Sequence, residues 1–130
     1  MRLADTSFFI ALAAARDRHH LEAVTLWEAE QEAVLVTNHV AGETWTFLRR
    51  RPGHHAAMAA LAVFRSERVH LWQVDARQEA EAWRWLARHD ERPYSFVDAT
   101  SFAVMRSRRI REALAFDADF TAAGFREVRL

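Results

Sequence analysis

Cysteine and lysine are both absent from the 130 residues, and glycine and proline are scarce, at three and two. Without Cys there is neither a disulfide nor a thiolate metal site, which agrees with a reducing compartment, such as the cytoplasm expected here, but also permits others. Without Lys, Schiff-base chemistry and phosphate binding by a P-loop lysine are excluded. No apolar run approaches the roughly 20 residues needed to span a bilayer. Nor does a basic segment followed by an apolar one open the chain as a signal peptide would, so no membrane role is expected. An excess of charge is missing too, since 18 basic residues balance 18 acidic ones. That balance argues against a generic polyanion binder while leaving local patches open. Every basic residue apart from His is Arg.

What is present is an alternation of strand-like and helix-like segments. The length fits one domain, residues 1–130. Met1–Asp5 reads as a first strand ending in a carboxylate, and Thr6 and Ser7 open a helical run. Residues 17–31 carry Leu21, Val24, Leu26 and Trp27 at near-helical spacing. The adjacent His19 and His20 point to different helix faces, a poor chelate, and read as surface residues. Ala33–Thr37 is a β-branched apolar strand, and Thr37 or Asn38 caps a helix that ends at Arg49–Arg51 before Pro52 and Gly53. A helix over 54–67 is expected to bury Met58, Leu61, Ala62 and Phe64. Val69–Val74 reads as a third strand, and Asp75 caps a helix whose Trp83, Trp85 and Leu86 belong to core or interface. After a loop with Pro93, a further helix runs to about Ser107. Ala113–Phe116 is a short buried strand, and 125–130 a final edge strand. Such alternation implies a parallel α/β sheet covered on both faces.

Four acids stand at the places where such folds build sites, outside the carboxyl ends of the strands. Asp5 and Asp117 follow strands. Glu43 lies near the start of one helix. Asp98 heads another, in YSFVDATSFAVMR, where an Asp before an apolar run reads as a helix N-cap. Clustered carboxylates repel and raise one another's pKa, and a divalent cation relieves that conflict. Their oxygens are hard ligands suited to Mg²⁺ or Mn²⁺, and a site of this kind activates water for phosphoryl displacement.

In order along the chain, LADTSFFIAL, NHVAGETWTFL, YSFVDATSFAVM and LAFDADFTAAGF resemble the acidic motifs of PIN-domain nucleases, and in particular of VapC-type toxins. The resemblance covers essentially the whole chain. It implies a three-layer α/β/α sandwich around a mainly parallel sheet of four to five strands. It also implies a Mg²⁺- or Mn²⁺-dependent endoribonuclease that acts as the toxin of a type II toxin–antitoxin pair. Asp5 and Asp98 would be the primary metal ligands, with Glu43 and Asp117 completing the cluster through water or a second ion. Thr6 and Ser95 would orient carboxylates or water, and Asp119, at a position that varies in the family, would be peripheral. The implied partners are RNA, a small VapB-like antitoxin and a second copy of the chain in a homodimer. Arg109 stands where such sequences often place Gly, at the left-handed position that ends a helix.

The Arg runs at 49–51 and 106–111 read as helix C-terminal charges on solvated faces, with phosphate contacts around the acidic pocket as the alternative. Two other functions remain open: a PIN-type RNA-processing nuclease with no toxin role, and a non-catalytic RNA- or protein-binding module. A receiver-type phosphoacceptor is excluded by the missing Lys. A dehalogenase-type phosphatase is excluded because Asp5 is followed by Thr6 and Ser7 rather than by a second Asp two residues on.

Overall fold

The first strand is also the innermost. In the computed structural model, which describes residues 1–130, β1 (Leu3–Ala4) lies between β2 (Val34–Thr37) and β4 (Glu112–Leu114). With β3 (Val69–Trp72) and β5 (Arg126–Glu127) at the edges, the order is β3-β2-β1-β4-β5, and every pairing is parallel. Leu3 stands opposite Leu35 and Ala113, and Ala4 opposite Leu114.

Side-chain alternation along these strands divides the core into two layers. Ala4, Val34, Val36 and Leu114 point to one face. There α1 (Thr6–Ala13), α2 (His20–Ala29) and α4 (His54–Phe64) cover them with Phe8, Phe9, Ala23, Leu26 and Phe64. Leu3, Leu35, Ala113 and Ala115 point to the other. Here α5 (Ala76–Arg88), α6 (Phe96–Arg108) and α7 (Asp119–Ala122) supply Trp85, Phe102, Met105 and Phe120. α3 (Asn38–Arg50) starts directly from β2, capped by the Thr37 hydroxyl, which accepts from Val40 N at 3.0 Å. The result is the expected α/β/α sandwich around five parallel strands.

Several local expectations shift. α2 begins only at His20, and its Leu21 is 80% exposed while Ala23 and Leu26 are buried. The buried stripe of α4 runs through Ala57 and Phe64, with Ala60 and Val63 packed against the core and Met58 exposed. In both helices small alanines face the sheet, so hydrophobicity alone points to the wrong side. Trp85 is core, whereas Trp83 is exposed and stacks on Phe96 at 4.2 Å. Arg109 does end α6 in the left-handed region, at φ 58° and ψ 36°, with Ile110 N donating back to Met105 O at 2.9 Å.

Sequence neighbours β1, β2 and β3 run outward to one side of the sheet, and the chain then returns to the far side of β1 for β4. The switch in winding direction therefore falls between β1 and β4. Asp5 follows β1 immediately, and Asp117 lies shortly after β4, so both sit at the carboxyl ends that flank this switch.

Candidate metal centre

Asp5 owes its place to two backbone events. Its own N–H donates to Leu114 O at 3.0 Å, which extends the β1–β4 pairing by one step. It then turns out of the strand as the N-cap of α1. Its Oδ2 accepts from Ser7 N at 3.2 Å and from the Ser7 hydroxyl at 2.8 Å. That hydroxyl accepts in turn from Phe116 N at 3.0 Å, tying Asp5 to the segment that carries Asp117. Thr6, expected to orient the acids, is buried with its hydroxyl unpartnered.

Asp98 is not the cap of its helix. Ser95 is the N-cap of α6, and its hydroxyl accepts from Asp98 N at 3.0 Å. Asp98, in the first turn, accepts from Ser95 N at 3.1 Å through Oδ2, which closes a reciprocal capping box. One carboxylate oxygen is thereby occupied and the other remains for a ligand. Thr100 and Ser101, further along α6, are fully buried; Ser101 Oγ has no partner, while Thr100 Oγ1 donates to Val97 O.

Asp117 sits in a turn rather than at a strand's last residue. Ala118 follows in the left-handed region at φ 67°, and Asp119 N donates to Asp117 Oδ1 at 3.1 Å. Two side chains brace this turn from outside. Glu127, whose side chain is 3% exposed, accepts from Ala118 N and Thr121 N. Arg92 holds Asp119 Oδ1 through Nε at 3.0 Å and Nη2 at 2.8 Å. Asp119 is thus engaged with Arg92 and the Asp117 turn and is not among the clustered acids.

Asp5, Asp98 and Asp117 converge, each offering a carboxylate oxygen within 4.8 Å of the others. Burial pushes Asp5 well above the usual carboxylate range, and the charges of Asp117 and Asp98 add to this against the Ser7 hydrogen bonds. Asp98 is pushed up to about 6, first by burial and then by Asp117 and Asp119, with Ser95 N–H opposing. Asp117 is raised by burial and by Asp119 and Glu127, partly offset by the Asp119 N–H and by a hydrogen bond with Asp5. Three acids this close, Asp5 and Asp98 buried and Asp117 exposed, ionise together only at a cost that a counter-charge relieves. Their hard oxygens fit a divalent cation of the Mg²⁺ or Mn²⁺ type.

Glu43 is exposed and stands outside the set of three. It shares a face of α3 with His39, one turn earlier, and His39 packs edge-on against Phe96 at the head of α6 (5.5 Å). Glu43 itself does not join the cluster. The Arg run at 106–111 lies at the wrong end of its helix to surround the acids. Arg106 is eight residues beyond Asp98, a displacement of about 12 Å along the axis. Arg106 there pairs with Glu81 and Arg108 lies over Trp72, as the solvated-face reading anticipates in part.

Ser7, Glu127 and Arg92 escaped the sequence reading. The Asp-x-Ser spacing at a helix start is a legible signal for Ser7, since an N-cap carboxylate is aimed at that position. Nothing local marks Arg92, whose partner lies 27 residues on; Glu127 reaches back only to Thr121 and Ala118, but no capping or periodic pattern marks it. His19 and His20 are not simple surface residues either. The His20 Nδ1 hydrogen-bonds Ala11 O at 2.8 Å, and His19 stacks on Phe116.

Residues 2–126 match the PIN domain family. In Mycobacterium tuberculosis strains CDC 1551 and H37Rv, the protein named 23S rRNA-specific endonuclease VapC20 is 57% identical to this chain over 129 residues, covering 99% of this chain and 98% of the relative. The crystal structure of M. tuberculosis VapC20, described as a sarcin–ricin loop cleaving toxin, superposes with a TM-score of 0.96 at 55% identity over 100% of both chains. From its parallel sheet to the acids at the winding switch, the chain belongs to the PIN-domain family.

Proposed function

We propose that this protein is a Mg²⁺- or Mn²⁺-dependent endoribonuclease that cuts 23S rRNA in the sarcin–ricin loop and serves as a VapC-type toxin. The observation that carries the proposal is the convergence of Asp5, Asp98 and Asp117 within 4.8 Å at the sheet's winding switch. The likeness to VapC20 over the full chain supports the choice of substrate.

In this reading Asp5 and Asp98 hold the ion directly, each through the oxygen not committed to Ser7 or Ser95. Asp117 and the more distant Glu43 support it, Glu43 through water. When bound, the cation supplies Lewis acidity toward the scissile phosphate and the attacking water. The chain's own part is to keep the carboxylates ionised and aimed. Ser7 and Ser95 fix Asp5 and Asp98, the Asp119 N–H fixes Asp117, and Arg92 holds Asp119. The Thr6 hydroxyl, buried and without a partner, is the proposed orienter of water next to Asp5.

A VapB-like antitoxin and a second copy of the chain are the proposed protein partners. An apolar groove of about 460 Å³ between α1 and α4, lined by Phe9, Leu12, Pro52, Ala56, Ala60 and Val63, supports a protein contact there. So does exposed Phe47 on the adjoining part of α3. The proposed place of action is the cytoplasm, where the rRNA is; no helix is long and apolar enough to cross a membrane.

The test is brief expression followed by sequencing of new 5′ ends on cellular RNA. One dominant end in the sarcin–ricin loop is expected, with growth arrest relieved by the antitoxin and both effects lost in Asp98→Asn. Ends scattered over mRNA or tRNA would overturn the rRNA assignment, and the absence of new ends would overturn the nuclease.

A further inference from the structure

A cleft of about 380 Å³ opens beside the three acids, sharing Ser7 and Asp117 with their immediate surroundings. Its outer wall is Asp17, Arg18, His19 and Phe116. The His19 and Phe116 rings lie parallel, 4.5 Å apart and 2° from coplanar. Phe116 rests in turn on Phe8, at 5.9 Å and 20°, and Phe8 is fully buried in the core. The Arg129 guanidinium also lies over Phe116, at 4.7 Å. An aromatic column therefore rises from the core and ends in the half-exposed ring of His19.

That ring is held at its backbone and at its edge. His19 N donates to Asp17 Oδ1 at 2.8 Å, and Arg18 Nε donates to His19 Nε2 at 3.1 Å. A guanidinium only donates, so Nε2 is the acceptor in this contact. The plane is thus fixed, and Arg18 remains exposed at its edge. The two carboxylates in the cleft, Asp17 and Asp117, disfavour a bare anion. A neutral, flat group joined to a phosphate suits the cleft better: its face meets His19 and its phosphate meets Arg18. Sequence-specific contact with RNA works largely this way, through unpaired bases stacked on aromatic rings.

We propose that the His19–Phe116 stack is a platform for one unpaired nucleobase flanking the scissile phosphate, with Arg18 contacting that nucleotide's phosphate. The proposal rests on the endoribonuclease reading. Phe116 directly precedes Asp117, so the seated base adjoins the acids and sets which phosphate reaches them.

The experiment compares wild type, His19→Ala and His19→Phe on a short RNA spanning the cut site, with Mn²⁺ present. It is repeated on RNAs made abasic at each nucleotide flanking the cut. Loss of one base–aromatic stack costs about tenfold or more in affinity. His19→Ala should therefore lower kcat/KM roughly tenfold, mainly through KM, while His19→Phe, which keeps a flat ring, stays within about threefold of wild type. One abasic position should cost wild type a similar factor and cost His19→Ala little more, because the two changes remove the same contact. Wild-type rates in His19→Ala, or an equal abasic penalty in both proteins, would overturn the platform. Should His19→Ala fail to fold, the abasic scan of wild type and His19→Phe decides: indifference to every flanking base overturns it. A wild type that cuts no RNA overturns the nuclease reading itself, which separates that failure from failure of the platform.

Discussion

The Ser7 hydroxyl lies 2.8 Å from Asp5 Oδ2 and accepts the Phe116 N–H at 3.0 Å, so one small side chain joins the first acid to the strand exit that carries the third. Asp5 is pushed toward protonation by burial, and this hydroxyl is among the few groups opposing that. Ser7→Ala strands the Phe116 N–H and should cost about 1–3 kcal/mol in stability. It should also lower RNA cleavage more than a surface change of equal destabilisation. Thermal unfolding and cleavage assays on the same preparation check this, and unchanged activity would remove Ser7 from the account.

Asp98 makes a prediction of opposite sign for stability and activity. Its carboxyl is raised from 3.8 to about 6. Between those values the folded chain holds a proton that the unfolded chain has released. The contribution of Asp98 to metal-free stability therefore falls as pH rises from about 4 to 6 and stays low above that, by up to about 3 kcal/mol. Asp98→Asn should remove this slope and raise the metal-free Tm at pH 7 while abolishing cleavage. Unfolding measured in EDTA across pH 4–7 tests the sign. A variant less stable than wild type at pH 7 would contradict the electrostatic picture.

Glu43 differs from the other acids in standing outside the 4.8 Å set. Glu43→Gln should therefore weaken catalysis by about 10–100-fold, as loss of a supporting group around a metal does, and raise the Mn²⁺ requirement. It should leave the metal-free Tm unmoved, because no buried charge is removed. Complete loss of activity in Glu43→Gln would place it on the ion.

Arg109 offers a test of backbone strain away from the site. At φ 58° a residue with a Cβ is disfavoured, and the exposed Arg109 side chain makes no hydrogen bond or ion pair, while its backbone N–H bond to Arg106 O would survive in glycine. Arg109→Gly should stabilise the fold by up to about 1 kcal/mol, since relief of left-handed strain exceeds the added freedom of the unfolded chain. A rise of a few degrees in Tm with cleavage unaltered is the expected outcome, and a fall would show that the guanidinium has a contact of its own.

These residues also show what a sequence can reveal. Asp5, Asp98 and Asp117 were legible because each follows a strand or heads a helix, and parallel α/β topology sends all such positions to one end of the sheet. Arg109 was legible through the resemblance, because related sequences often place Gly at that helix end. Distance along a helix axis was harder to see: Arg106 and its neighbours follow Asp98 in sequence, yet each residue carries them about 1.5 Å farther from it. Burial by alanine misdirected the face of α4, where Ala57 is buried and Met58 exposed. The His19–Phe116 stack and the Arg92–Asp119 pair join segments remote in the chain, and no periodicity announces such contacts.

The most direct measurement is the cleavage rate of a sarcin–ricin loop RNA against Mn²⁺ concentration, for wild type and Asp98→Asn. The account predicts no wild-type cleavage in EDTA, saturable activity as Mn²⁺ is restored, and no activity in Asp98→Asn at any Mn²⁺ concentration. Cleavage that ignores chelation, or full activity in Asp98→Asn, would contradict the claim that these carboxylates hold the ion that cuts RNA.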